Sequence, residues 1–217
     1  MTLIDTRERF YKLFNELLRE LMGRNVSQEV FEHYARWDRL NELLGLSDEE
    51  AVPFWKEFLS RYSERFDAKP IPGARECLEQ LRSSGVSVVV VTGRISPVEA
   101  VLRELDRLGM SDLVDEVVTK AHTLDLGDSV YSKERMVSVA VNKVGCSPNQ
   151  CVVVGDYLDD IRAGKKLGAF TVGVLTGFTH KSLLEREGAD AVINSVAELP
   201  SMVFGGISAS PQRRRFL

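Results

Sequence analysis

Cys151-Val152-Val153-Val154-Gly155-Asp156-Tyr157-Leu158-Asp159-Asp160-Ile161 is the stretch on which the reading of this chain turns. A short apolar run stops at a glycine. Asp156 and Asp160 follow, and a helical pattern then continues through Ile161, Ala163, Leu167 and Ala169. A continuous valine run bounded by turn residues predicts a strand buried on both faces, hence a parallel sheet. In open parallel sheets ligands bind outside the carboxyl ends of the strands, which is where Asp156 falls. Asp160 lies about one helical turn further on, so both carboxylates can face one point. Clustered carboxylates suit a hard cation such as Mg²⁺, which takes oxygen ligands and keeps several waters. The alternative is that the two acids only cap the next helix, a position where Asp is favoured.

Working outward, the texture from residue 73 onward alternates helix and strand. The spacing predicts a helix over 73–84, a strand over 86–91, a helix over 97–109 and a weaker strand over 115–119. A loop over 122–132 and a helix over 134–144 lead to the strand at 151–154 and its helix. A strand over 170–174, a helix over 180–187, a strand over 190–193 and a helix over 196–203 complete the series. This rhythm predicts a parallel sheet covered by helices, a Rossmann-like α/β core over 68–204. Lys69-Pro70-Ile71-Pro72-Gly73 is rich in breakers and marks a boundary.

Before that boundary the chain reads as all helix and rich in aromatics. Asp5 or Thr6 caps a helix carrying Phe10, Leu13, Phe14, Leu17, Leu18 and Leu21. Ser27 opens a second, read as running through Phe31, Tyr34, Leu40 and Leu44 to Gly45. Ser47 and Glu50 form a capping box for a third, with Phe54, Trp55, Phe58 and Tyr62. Residues 6–67 are thus a helical cap, and its aromatics read as core. Residues 205–217 read as a disordered tail, and Arg213-Arg214-Arg215 as solvated.

Composition narrows the function. The chain has 217 residues, is 44% hydrophobic and carries a net charge of −4, which disfavours a general nucleic-acid binder. No apolar run approaches a bilayer span and no basic region precedes an apolar one, so neither a membrane span nor a secretory signal is expected. Cys77, Cys146 and Cys151 form no CxxC pair, and they read as reduced thiols of a cytoplasmic protein.

Two more stretches carry chemistry. The strand at 86–91 runs into Thr92-Gly93-Arg94, where a hydroxyl and an open amide can cradle an anion; an ordinary loop capped by Thr92 is the alternative. Lys133 stands at a helix start, against the helix dipole, which an anionic partner would explain. Lys120 is its rival but lies too far upstream to share that loop.

In this order and spacing, the motifs resemble the haloacid dehalogenase superfamily, in its phosphoglycolate phosphatase-like branch with a helical cap. The match extends to Ala163-Gly164-Lys165-Lys166-Leu167-Gly168-Ala169 and to Gly188-Ala189-Asp190-Ala191-Val192-Ile193 with Glu198-Leu199. The resemblance implies that Thr92 and Gly93 hold phosphate, that Lys133 neutralises it, and that Asp156 and Asp160 bind Mg²⁺. It implies a small phosphorylated metabolite as substrate, a monomer or homodimer, and turnover through an aspartyl-phosphate. Arg24, Arg36 and Arg39 are candidate contacts on the cap for an anionic substrate, none of them favoured singly.

One departure is large. The family's first motif, Asp-x-Asp-Gly-Thr at the end of a central strand, supplies the nucleophile. Here Met1-Thr2-Leu3-Ile4-Asp5-Thr6 resembles only its tail, and Asp5 matches a later, non-catalytic acid. In the family that strand lies between those read here at 86–91 and 151–154. Each buried backbone group left unpaired costs on the order of 1–3 kcal/mol, against a total stability of about 5–15 kcal/mol. Unless the edges close together or another segment fills the slot, such losses would unfold the domain, so the expectation is that the natural protein starts upstream of Met1, which is then a misassigned start or a truncation. Two functional readings follow: a Mg²⁺-dependent phosphatase, or a catalytically inactive module that binds a phosphorylated ligand or a protein partner.

Overall fold

The computed structural model describes residues 1–124 and 133–205, with the backbone of residues 215 and 216. A two-residue strand, β1 (Ile4–Asp5), leads into α1 (Arg7–Met22), α2 (Gln28–Arg36), α3 (Leu40–Leu44) and α4 (Asp48–Ser63). The 3/4 spacing of α1 buries Leu13, Phe14, Leu17 and Leu18 against Phe31, Phe54 and Phe58. Each such side chain contributes roughly 1.5–3 kcal/mol. The capping box at Ser47 and Glu50 opens α4. The helix expected to run from Ser27 to Leu44 is instead broken at Trp37–Arg39. The face that buries Phe31 and Ala35 meets Asp38 and Arg39 one turn later, so nothing apolar holds the helix there, and the chain turns left-handed at Asp38.

The breaker-rich segment forms β2 (Lys69–Pro70), which pairs antiparallel with β1, Ile4 opposite Pro70. The two crossings between helical and α/β parts thus run side by side. Beyond them come α5 (Ala74–Ser83), β3 (Val89–Thr92), α6 (Val98–Arg107), β4 (Glu116–Thr119), α7 (Ala121–Leu124), α8 (Glu134–Lys143), β5 (Cys151–Gly155), α9 (Leu158–Leu167), β6 (Phe170–Val174), α10 (Lys181–Arg186), β7 (Ala191–Ile193), α11 (Leu199–Gly205) and β8 (Arg215–Phe216). β3 begins later than expected. Gly85 turns the chain and the Asp115 carboxylate takes Val88 N–H at 2.8 Å, so Thr92 is the last residue of the strand. The final helix also splits, into a 3₁₀ turn (Val196–Glu198) and α11.

All strands from β3 onward pair parallel, but not in one sheet. β3 pairs with β4, and a second sheet runs β7-β6-β5-β8. Side chains of β5 alternate between two cores, as expected for a strand buried on both faces. Val152 packs with Leu78, Leu81 and Leu105, and Val153 with Met136, Val137 and Ala163. The edges of β3 and β5 face each other across a cleft. β8 fills the amino end of that seam, Arg215 opposite Cys151 and Phe216 opposite Val152. This corrects the expectation of a tail without structure at those two residues. Residues 206–214 and 217, with Arg213 and Arg214, lie outside the described residues, as do residues 125–132 of the expected loop. No helix among the described residues is long and apolar enough to cross a membrane.

Candidate active site

The carboxyl ends of β3 and β5 open into a cleft of about 220 Å³ whose lining includes Thr92, Gly93, Lys133, Asp156 and Asp160. All five residues singled out from the sequence therefore border one space. Asp160, in the first turn of α9, uses both oxygens. Its Oδ2 accepts from Tyr157 N–H at 3.1 Å and its Oδ1 from Lys133 Nζ at 2.5 Å. Burial pulls the Lys133 ammonium down in pKa, but the Asp160 carboxylate outweighs it and the net shift is upward. Lys133 is thus a fixed positive charge at neutral pH. The preceding acid, Asp159, points away to Arg162 at 3.2 Å, and burial raises its carboxyl.

Two glycines make room for the acids. A Cβ on Gly155 would lie 2.2 Å from Cβ of Asp160, and one on Gly177, after β6, 2.3 Å from Oδ2 of Asp156. Neither closeness is tolerable, so β5 ends in glycine because Asp160 folds back over it. Asp156 Oδ1 accepts from the Thr2 hydroxyl at 3.1 Å and from the Met1 amino group. Met1 O in turn accepts from the Thr176 hydroxyl at 2.8 Å. The first residues of the chain thus lie across the strand ends. Gly93 faces Lys133, whose Cε would be 3.9 Å from an added Cβ. Lys120 is buried at the carboxyl end of β4 and is not among the residues lining the cleft.

The acids suit a cation. Asp156 Oδ1 is already engaged by the Met1 amino group, and among the described residues no three His, Cys, Asp or Glu gather at one point. A cation here would have at most two protein carboxylates, with water and phosphate completing its shell, which is the usual arrangement for Mg²⁺. The cap arginines contribute less. Arg24 donates to the carbonyls of Leu43 (2.9 Å) and Leu44 at the end of α3, and Arg39 pairs with Glu42.

Sequence reasoning missed two features. Arg94, next to Gly93, is buried and ion-paired to Glu104, which also takes Arg9 at 3.0 Å. Arg94 Nη2 donates to Arg65 O at 2.6 Å and Arg9 Nη1 to the same carbonyl at 2.7 Å. This network ties both crossings to the segment after β3. An arginine directly after the Thr-Gly pair was the available signal. The second feature is Tyr157, whose hydroxyl reaches Asp38 of the helical part at 2.6 Å.

Known proteins share this arrangement of elements. A phosphoglycolate phosphatase of Caulobacter vibrioides is 28% identical over 168 residues, 76% of this chain and 68% of that protein. An N-acetylmuramic acid 6-phosphate phosphatase of Pseudomonas aeruginosa is 29% identical over 159 residues, covering 72% and 68%. In fold, the chain resembles the crystal structure of a predicted phosphatase from Clostridium acetobutylicum, with a TM-score of 0.70, 19% identity and 94% of each chain covered. Residues 1–174 match the sequence profile of the haloacid dehalogenase-like hydrolases, and the chain belongs to that family.

Proposed function

We propose that this chain is a Mg²⁺-dependent phosphomonoester hydrolase acting on a small phosphorylated metabolite. One observation carries the reading: Thr92 and Gly93, the partly buried Lys133 ammonium and two carboxylates border one cleft at the strand ends. Phosphoryl transfer needs mainly positioning and charge neutralisation. Thr92 Oγ1 and Gly93 N–H hold phosphoryl oxygens, and Lys133 offsets their charge. Asp156 and Asp160 would hold Mg²⁺, which when bound neutralises further charge on the phosphoryl group. The helical part, residues 6–67, covers the cleft, excludes water and selects the leaving group. The relatives' names, one a phosphoglycolate and one a sugar-acid phosphatase, support the substrate class.

A specific observation favours a second reading, a phosphate-binding module. Among the described residues, the carboxylates lining the cleft are Asp156, Asp160 and Glu104. Asp160 is engaged by Lys133 and Tyr157 N–H, Asp156 by Thr2 and Met1, and Glu104 by two arginines. None of these three stands free to attack phosphorus. Hydrolysis of para-nitrophenyl phosphate with Mg²⁺ separates the readings. Turnover abolished by Asp156→Asn supports the hydrolase. A folded chain that binds inorganic phosphate without turnover overturns it in favour of the module.

A further inference from the structure

The end of α2 is closed by Asp38 N–H to Ala35 O at 3.2 Å and Arg39 N–H to Tyr34 O at 2.9 Å. These paired bonds require a left-handed residue between them, usually glycine or asparagine. Here it is Asp38, at φ 56, alone in positive φ among the described non-glycine residues. Glycine would adopt that conformation without strain, and an acid at a helix carboxyl end faces the negative pole of the dipole. Asp enters this conformation more readily than most side chains, though at a cost relative to glycine, and its charge is disfavoured at that pole.

Tyr157 is out of place in the same way. It is the N-cap of α9 and makes no side-chain cap hydrogen bond, where Ser, Thr or Asp normally serves. The residue is 40% exposed, so core burial does not account for it either. Its hydroxyl instead donates to Asp38 Oδ1 at 2.6 Å, across 119 positions of sequence. Each unfavoured residue is explained by the other, which is the pattern expected where function overrides local preference. The same turn docks on its other side. Trp37 stacks on His180 at 4.5 Å between centroids, and His180 N–H donates to Arg36 O at 2.9 Å.

We infer that Asp38 is a positioning residue: its carboxylate latches the helical cap, through the Tyr157 hydroxyl, onto the turn that carries Asp156 and opens α9, whose first turn carries Asp160. Tyr157 N–H also holds Asp160 Oδ2, so docking the cap fixes the carboxylate that faces Lys133. The role in turnover rests on the hydrolase reading, whereas the latch itself is tested without turnover.

Trp37 is a built-in reporter. The chain has two tryptophans, so in a Trp55→Phe background Trp37 is the sole emitter, and acrylamide quenching reads its exposure. Asp38→Gly removes the carboxylate and relieves the turn; Tyr157→Phe removes only the hydroxyl. Trp37 is 39% exposed with the turn docked, so each is expected to raise the quenching constant by no more than about 2.5-fold, the rise to full exposure on local opening, and the double variant no further than either alone. Tyr157→Phe, which leaves the charge unchanged, is expected to weaken inorganic phosphate binding about threefold, the effect of one modest hydrogen bond. Unchanged quenching in both single variants overturns the latch, as does an additive double variant. Unchanged phosphate affinity overturns the positioning role. Failure of the parent chain to hydrolyse aryl phosphate would count against the hydrolase reading alone.

Discussion

The Lys133 ammonium lies 2.5 Å from Oδ1 of Asp160, a carboxylate that also caps its own helix through Tyr157 N–H. Because folding raises the Lys133 pKa, the pair's contribution to stability is whole below the ordinary lysine value of about 10.4. It fades as pH climbs through the higher folded value. Thermal unfolding between roughly pH 6 and 9 is therefore expected to show no titration from this pair. The alkaline loss of stability should shrink in Lys133→Met, and turnover should fall on the order of 100-fold or more. Melting curves across pH, with aryl phosphate assays, check both.

Gly177→Ala removes no chemical group from the cleft yet drives a methyl to within 2.3 Å of Asp156 Oδ2. Overpacking of this kind costs about 1–3 kcal/mol. The expected result is a folded protein with a lower Tm and with Mg²⁺-dependent thermal stabilisation reduced alongside turnover. Calorimetry with and without Mg²⁺ reads this directly.

Glu104 sits 3% exposed between the guanidinium groups of Arg9 and Arg94. Removing one member of a buried ionic set strands the others, and Glu104→Ala should destabilise by about 3–5 kcal/mol. Glu104→Gln, which keeps hydrogen-bond acceptance, should lose less. Urea unfolding of the two variants tests the order.

The thiols should separate by reactivity. Burial pushes the Cys77 thiol up to about 12, so it stays protonated and inert at neutral pH. Cys146 Sγ and Cys151 Sγ lie 2.7 Å apart, and Cys146 is partly exposed. Mild treatment with a disulfide reagent should join that pair, seen as a loss of about two mass units, with Cys77 labelled only after unfolding. Peptide mass mapping distinguishes these sites.

Much of the site was legible because its signals are local. The run Val152 to Val154 announces a strand buried on both faces, and Asp156 and Asp160 follow from helical spacing at its end. Thr92 and Lys133 were readable as residues at strand and helix ends. What escaped depends on partners far apart in sequence, such as Tyr157 on Asp38 and Arg9 on Glu104, for which no periodicity gives a cue. The break in α2 was half visible: the apolar phase slips at Asp38 and Arg39, but Leu40, Leu43 and Leu44 resume it and conceal the turn. Phe216 beside Val152 had no signal, since two residues carry no strand pattern.

The seam between the two sheets has a consequence for how the molecule breathes. Among the described strands, no backbone ladder links β3 to β5 or to β8; side chains of the helices α5 and α8 pack across the gap. Packing resists separation but does not lock amides, so the β3–β4 pair and the β5–β6–β7 group are expected to exchange hydrogen as two cooperative units with unequal protection. Thr92 belongs to one unit and Asp156 to the other, so the cleft can assemble only while both are closed, and ligand should slow exchange on both sides of the seam together.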